Sequence, residues 1–190
     1  MFEGMSKLSY RPSALADVAR TESEAGWTLV FTRDLAHPIE KVWRALTERA
    51  QLREWAPYAP DRDLSSEGAA TLAMIDDEGG EQPMAGAVRR FDPPRLLEHD
   101  LGSDVLRWEL APIAEGTRLV LRHSFADGAW SSALAAGWHI CLDVADALLA
   151  GAPVGPIVGT AARDHGWDEL NRQYAGVLGV APARPGEPAH

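Results

Sequence analysis

The sequence predicts an α+β domain in which a curved antiparallel sheet wraps around one long C-terminal helix. Two observations point to this class: short alternating strands separated by turn residues run from Arg62 to Phe125, and a long apolar helix follows at Ala129–Ala150. A length of 190 residues and a hydrophobic content of 46% suit one domain with extensions. We therefore expect one core, built between the sheet and this helix.

The other elements carry their own signals. Trp27–Leu35 alternates as a strand, and weak patterning before it allows a short strand that pairs with it. Pro38 begins a helix, and a second short helix is expected over Ala50–Trp55. A further helix is expected over Ala162–Leu178. Five strands are predicted between turn residues: Ala70–Ile75, Met84–Phe91, Arg95–Leu101, Val105–Ala111 and Thr117–Phe125.

The long helix is predicted to have two different faces. Polar residues share one stripe, which is expected to face water: Ser132, His139, Asp143 and Asp146. Residues of the opposite face are expected to face the sheet: Trp130, Leu134, Gly137, Cys141, Ala145 and Leu148. Because several of these side chains are small, this face leaves room for a cavity.

Two histidines lie on alternating strands. His123 shares its strand face with Leu121 and Phe125, so it is predicted to point inward with Trp108 of the neighbouring strand. Burial would keep it neutral, either as a core histidine satisfied by a neighbour or as a general acid or base. His99 has a weaker claim, because the alternation around it does not decide which face is buried.

Composition excludes several functions. A net charge of −10 and a pI near 5.0 disfavour nucleic-acid and anionic membrane partners. The histidines are scattered and no HExxH, CxxC, phosphate-loop or dinucleotide motif occurs, so we expect no metal and no cofactor. Cys141 is the single cysteine. This low cysteine content predicts a cytoplasmic protein, because no signal peptide and no apolar run of about 18 residues are recognised in the sequence.

A family resemblance covers roughly Gly26–Gly151. It is carried by short segments in the expected order: Trp27–Leu35, His37–Thr47, Leu52–Pro57, Asp92–Glu98, Leu106–Leu110 and Ala136–Trp138. These segments resemble the C-terminal domain of the activator of Hsp90 ATPase, in the START-like (SRPBCC) superfamily. The resemblance implies a helix-grip fold with a hydrophobic cavity between sheet and helix. Only 26 residues precede Trp27, so we expect no separate Hsp90-binding domain and doubt that Hsp90 is a partner.

The resulting division of the chain has four parts. Residues 1–25 are expected to be a partly ordered N-terminal extension, and residues 26–151 the START-like domain. Residues 152–180 are expected to hold a linker and the additional helix, which packs back on the domain, and residues 181–190 a disordered tail.

The function favoured by the sequence is a binding module for an apolar or aromatic small molecule. The predicted ligand-binding residues are Trp55, Trp108, Leu121, His123, Phe125, Trp130, Leu134 and Cys141. Two alternatives remain open: a cyclase or aromatase that uses His123 or His99 on a polyketide-like substrate, and a co-chaperone-like or other protein-interaction domain. The chain is expected to be a monomer or a homodimer.

Overall fold

A computed structural model describes residues 7, 10–75 and 80–184, and in this part of the chain eight strands form one antiparallel sheet. The strand order is β1-β2-β8-β7-β6-β5-β4-β3. The strands are β1 (Asp17–Ser23), β2 (Gly26–Leu35), β3 (Tyr58–Pro60), β4 (Gly68–Ile75), β5 (Glu81–Asp92), β6 (Leu96–Leu101), β7 (Asp104–Ile113) and β8 (Gly116–Phe125). Residues 1–6 and 8–9 of the expected N-terminal extension, residues 76–79, where a turn was predicted, and residues 185–190 of the expected tail lie outside the described residues.

The helices lie between β2 and β3 and after β8 along the chain. They are α1 (Ile39–Thr47), α2 (Arg49–Leu52), α3 (Ser131–Leu149), α4 (Ala161–Asp164) and α5 (Trp167–Leu178). The long helix α3 follows a single 3-10 turn at Gly128–Trp130. The predicted α+β helix-grip class is therefore confirmed.

Two local differences from the sequence prediction have simple causes. Strand β3 was not predicted, because three residues are too few to show an alternation. The predicted Ala162–Leu178 helix is divided in two at Gly166, whose φ of 93° lies in the left-handed region and ends α4. The short strand expected before Trp27 is present as β1 and pairs with β2.

The core lies between the concave face of the sheet and α3. Alternate residues of β2 and β8 turn inward, and Leu29, Phe31 and Leu121 are fully shielded from solvent. Trp108 of β7 and His123 of β8 point toward α3, as predicted, and both contact the ring of Trp138. The interior is therefore rich in aromatic side chains, which supply large apolar surfaces.

The opposite side of α3 contradicts the sequence prediction. His139 is completely buried and Asp143 is 9% exposed, so the predicted solvent-facing stripe is wrong. The N-terminal segment Tyr10–Ser13 and helix α5 cover this side and supply polar partners for both residues. A stripe of polar residues thus faces other polar protein groups rather than water.

A further correction concerns apolar length. The stretch Gly128–Leu149 is long and apolar enough to cross a membrane by composition, although no such run was recognised in the sequence. Within the fold, 72% of its apolar window is buried against the sheet and the covering segments. This burial is that of a core helix.

Candidate functional site

Three tryptophans form the centre of the sheet side of α3. Trp108 of β7 stands between Trp55, which follows α2, and Trp138 of α3, with ring centroids 5.9 and 5.4 Å apart. Both contacts are edge to face, the arrangement that aromatic quadrupoles favour. The Trp55 indole N–H donates to the Ala45 carbonyl at 2.9 Å, which fixes this ring on α1. The result is a rigid apolar wall.

Each ring nitrogen of His123 has its own partner. The Trp138 indole N–H donates to Nδ1 at 2.9 Å, so Nδ1 must carry the lone pair. The opposite nitrogen, Nε2, then carries the hydrogen and donates it to Asp104 Oδ2 at 2.9 Å. No nitrogen of His123 remains for proton transfer to a substrate, and the residue has the environment of a satisfied core histidine.

His99 has a different environment. Its Nδ1 lies 3.0 Å from the Asp100 backbone oxygen, which can only accept, so Nδ1 is protonated and Nε2 carries the lone pair. The Tyr58 hydroxyl and the Trp108 indole N–H both approach Nε2, each at 3.3 Å. Burial lowers the pKa of His99 to about 4, so the ring is neutral at physiological pH.

The predicted ligand-binding residues differ in exposure. Six are buried: Trp55, Trp108, Leu121, His123, Phe125 and Cys141. Trp130 and Leu134 are only half-buried. Burial also raises the pKa of the Cys141 thiol to about 12, so this residue is an unreactive wall group.

Two residues that belong with this cluster were missing from the predicted set. Tyr58 lies in the unpredicted strand β3, and it is fully buried beside His99. Trp138 lies between the two predicted faces of α3, so its helical position assigns it to neither. A buried indole N–H needs a hydrogen-bond acceptor, and His123 was already predicted to point inward. This requirement could therefore have identified Trp138 as a member of the cluster.

An open space lies beside the middle of α3. Apart from the adjoining residues and the backbone of α3 itself, a Cβ atom built on Gly137 would meet no atom within 4 Å; Gly137 is half-buried, and buried residues precede and follow it. Trp130 and Leu134, on the same side of the helix, are half-buried. Cys141, one turn further on, is close enough to Tyr58 to affect the pKa of its hydroxyl. Gly137, Trp130 and Leu134 were predicted to face the sheet, yet all three are partly exposed, so the open space lies on a partly exposed side of α3.

The other side of α3 holds a closed polar cluster around Asp143. The Tyr10 hydroxyl and the Ser13 backbone N–H donate to Oδ2 at 2.7 and 3.0 Å, and the Ser13 hydroxyl donates to Oδ1 at 2.7 Å. Arg33 of β2 forms an ion pair with the same carboxylate. Burial raises the pKa of Asp143, but the hydrogen bonds from His139 and Ser13 and the charge of Arg33 outweigh it, so that the pKa is lowered.

Ser13, His139 and Asp143 are not arranged as a nucleophile with its base. His139 Nε2 faces the Asp143 carboxylate at 3.3 Å, and an ionised carboxylate only accepts, so Nε2 carries the hydrogen. It therefore has no lone pair for the Ser13 hydroxyl, which already donates to Asp143. The Tyr174 hydroxyl donates to His139 Nδ1 at 2.7 Å and completes the network. The cluster joins the Tyr10–Ser13 segment and α5 to α3, and its hydrogen bonds are not those of a nucleophile and its base.

A surface groove lies next to this cluster. Its volume is about 460 Å³, and its lining includes Arg33 and Arg118. Arg33 pairs with Asp143, and Arg118 pairs with Asp34 through two hydrogen bonds of 2.7 and 2.8 Å. Both guanidinium groups are therefore paired with carboxylates, although the buried Nη1 atom of Arg33 has no hydrogen-bond partner. Among residues 7, 10–75 and 80–184, no group of three or more His, Cys, Asp or Glu side chains could hold a metal ion.

Comparisons with solved structures agree on the fold. CalU16 from Micromonospora echinospora is similar over 85% of this chain and 96% of its own, with a TM-score of 0.63 and 20% identity. A protein from Rhodobacter sphaeroides is similar over 71% of this chain and 99% of its own, with a TM-score of 0.58 and 24% identity. The AHSA1 protein from Silicibacter pomeroyi has a TM-score of 0.53 and 21% identity over 65% of this chain and 96% of its own. At these identities the similarity shows a common fold.

The family comparison is more specific. No curated protein matches the chain by sequence. The model of the family described as "Activator of Hsp90 ATPase homolog 1-like protein" matches residues 36–150, which extend from the start of α1 to the end of α3. This is more than half of the chain and contains the strands and helix that enclose the aromatic cluster. The chain therefore belongs to the AHSA1-like family of the START-like superfamily.

Proposed function

We propose that this protein binds an uncharged aromatic or apolar small molecule between the sheet and α3. The observation that carries the proposal is the open space at Gly137, in the middle of a core helix. A glycine inside a helix costs about 1 kcal/mol relative to alanine, so a functional reason for it is expected. A ligand that occupies the space beside the helix backbone supplies that reason.

The surroundings define the chemistry of the ligand. Trp55, Trp108 and Trp138 offer rigid aromatic surfaces, and Trp130 and Leu134 add half-buried apolar groups nearer to solvent. Burial raises the pKa values of both Cys141 and Tyr58, which means that this region disfavours charge. An uncharged ligand fits this environment and a carboxylate or an amine does not.

Titration with the neutral fluorescent probe N-phenyl-1-naphthylamine tests the proposal. We expect saturable binding to the wild-type protein and at least about tenfold weaker binding to Gly137→Phe, because the new ring fills the space. Gly137→Ala should retain probe binding, since a single methyl group meets no neighbour. Probe binding that is the same in wild type and Gly137→Phe would contradict the proposed location.

Gly176 supplies the matched control. It is also a helical glycine at which an added Cβ meets no atom within 4 Å, but it lies on the exposed side of α5. Gly176→Phe should leave probe affinity unchanged. Native mass spectrometry of protein purified from its own host would then identify a retained natural ligand.

The two alternative functions have less support. A cyclase-like reaction could not use His123, whose two nitrogens are both occupied, and it would depend on the neutral His99. A co-chaperone role rests on family membership alone, and the family fold also accommodates ligand binding. The single cysteine, which is buried and has no disulfide partner, supports a cytoplasmic location. The expectation of a monomer or homodimer remains part of the proposal.

A further inference from the structure

We propose that the groove beside the Asp143 cluster binds an extended peptide segment of another protein, which adds a short strand to the edge of β2. The added strand pairs with the backbone of Asp34 and carries a basic side chain opposite that residue. Peptide binding there does not depend on the proposed ligand site beside Gly137.

Strand β2 is longer than the part of it that β1 covers. The pairing of the two strands ends where Asp17 lies opposite Thr32, whereas β2 continues to Leu35. In the same register, Leu15 would lie opposite Asp34. Because β1 is the outermost strand on this side of the described sheet, the last three residues of β2 have no neighbouring strand there.

The segment before β1 is diverted by two hydrogen bonds. The Ala16 N–H donates to the Tyr174 hydroxyl at 3.0 Å, and the Ser13 N–H donates to the Asp143 carboxylate at 3.0 Å. Leu15, which lies between these two anchored residues, is 42% exposed. The chain that could have extended β1 therefore runs toward α3 and α5 instead, and it leaves the edge of β2 open.

The backbone groups of Asp34 point toward this open edge. In an antiparallel sheet, successive residues of a strand direct their N–H and C=O groups to opposite neighbours. The Leu35 carbonyl oxygen lies against the Cβ position of Gly116 in β8, and the Phe125 carbonyl oxygen of β8 lies against the Cβ position of Gly26 in β2. The odd-numbered residues of β2 therefore bond to β8, and Asp34 directs its N–H and C=O away from β8. Within the described part of the chain, neither group has a hydrogen-bond partner.

The groove lies at this unpaired position. Its volume is about 460 Å³, and its lining contains Thr32, Asp34 and the whole segment from Ser13 to Asp17. The three residues of β2 beyond Thr32 span about 10 Å, so an added strand of about three residues matches the free edge. Leu15 offers that strand an apolar contact. Open strand edges bind extended segments in this way, with main-chain hydrogen bonds for affinity and side-chain contacts for specificity.

The charges around the groove favour a basic side chain on the added strand. Arg33 pairs with Asp143 and Arg118 pairs with Asp34, whereas Asp17 forms no ion pair with any residue that the structure describes. A side chain directly opposite Asp34 lies on the same face of the sheet as Asp34 and Asp17, within reach of both carboxylates. The net charge of −10 also favours association with a basic segment.

Fluorescence anisotropy with the labelled pentapeptide Thr-Val-Lys-Val-Thr tests the proposal. We expect saturable binding to the wild-type protein. Methylation of the lysine backbone nitrogen should weaken binding at least about tenfold, because it removes the N–H that donates to the Asp34 carbonyl. Replacing the lysine by glutamate should weaken binding about threefold or more, because the glutamate would face two carboxylates.

Asp34→Pro is the decisive variant, and Asp34→Ala is its matched control. Proline removes the Asp34 N–H, which no bond to β8 uses, so β2 should remain intact. Alanine keeps the N–H and removes only the carboxylate. We expect at least about tenfold weaker peptide binding for Asp34→Pro and at most about threefold weaker binding for Asp34→Ala. Circular dichroism checks that both variants fold.

Three results would overturn the proposal: no saturable binding to the wild-type protein, equal binding of the lysine and N-methyl-lysine peptides, or equal affinities for Asp34→Pro and Asp34→Ala. If the wild-type protein forms a dimer that Asp34→Pro dissociates, the groove joins two copies of this chain and the assignment to a peptide is wrong. Gly137→Phe should leave peptide affinity unchanged, which separates this groove from the proposed ligand site.

Discussion

The two sides of α3 bury polar groups in different ways. On the outer side, hydrogen bonds of 2.7–3.0 Å from Tyr10 and Ser13 hold the Asp143 carboxylate, and an arginine neutralises its charge. On the sheet side, indole and phenol donors surround neutral histidines, and the contacts at His99 are 3.3 Å long. The outer side surrounds a charged carboxylate with short bonds, although Arg33 Nη1 has no hydrogen-bond partner, whereas the sheet side holds uncharged groups. The difference supports the proposal that an uncharged ligand binds on the sheet side.

The largest expected effect is the loss of an aromatic ring from the sheet side. Trp108→Ala should lower the free energy of unfolding by about 3–5 kcal/mol, because it removes a completely buried ring and leaves a cavity between Trp55 and Trp138. Urea denaturation followed by circular dichroism measures this loss. A change below about 1 kcal/mol would show that the aromatic cluster is not a packed core.

On the outer side, Asp143→Ala should cost about 2–4 kcal/mol, because Arg33, Tyr10 and Ser13 lose their common partner. Asp34→Ala is the matched control, since this carboxylate also pairs with an arginine, Arg118, but about half of its side chain is exposed. Asp34→Ala should lower the free energy of unfolding much less, because surface ion pairs contribute little to stability. Equal losses in the two variants would contradict a closed outer cluster.

Acid should reduce the stability contributed by the two sides of α3 in different pH ranges. The pKa of His99 falls from 6.5 in the unfolded chain to about 4 in the fold. The contribution of neutral His99 to the free energy of unfolding is therefore complete above pH 6.5 and is lost as the pH falls toward 4. That contribution is on the order of 3 kcal/mol. The pKa of Asp143 is lowered from 3.8, so its contribution is present above that value and declines at lower pH.

The free energy of unfolding, measured by denaturation at a series of pH values, checks this assignment. His99→Gln should flatten the curve between pH 6.5 and 4, the limits given by the two pKa values of His99. Asp143→Asn should flatten it only below the unfolded pKa of 3.8. If His99→Gln retained the wild-type slope in the upper range, His99 would not be the neutral buried group described here.

The smallest expected effect comes from Tyr174→Phe. Its hydroxyl accepts from the Ala16 N–H at 3.0 Å and donates to His139 at 2.7 Å, so the variant should lose about 1 kcal/mol. Combining it with Asp143→Ala should give less than the sum of the two losses, because both act on His139. Strict additivity in this double-mutant cycle would indicate that the network is not continuous.

The sequence was sufficient for the fold class and for the inward direction of Trp108 and His123, because alternation and helical spacing are local. It was misleading for His139 and Asp143, since helical periodicity identifies a polar face but not what covers it. The cover comes from Tyr10, Ser13 and Tyr174, and contacts between such distant segments leave no trace in a local pattern. Tyr58 was missed for the same reason, because only the pairing of β3 with β4 brings it beside His99.

The covering of α3 by both chain ends has a consequence for how the protein is made. Tyr10 and Asp143 are 133 positions apart, and Ala16 and Tyr174 are 158 apart. Contacts that close such long loops form late in folding, and α5 leaves the ribosome after α3 does. During synthesis the nascent chain therefore exposes the outer side of its most apolar helix until α5 is complete. Chaperone capture and aggregation should be greatest in this interval. The interval should be shortest in variants whose α5 docks fastest.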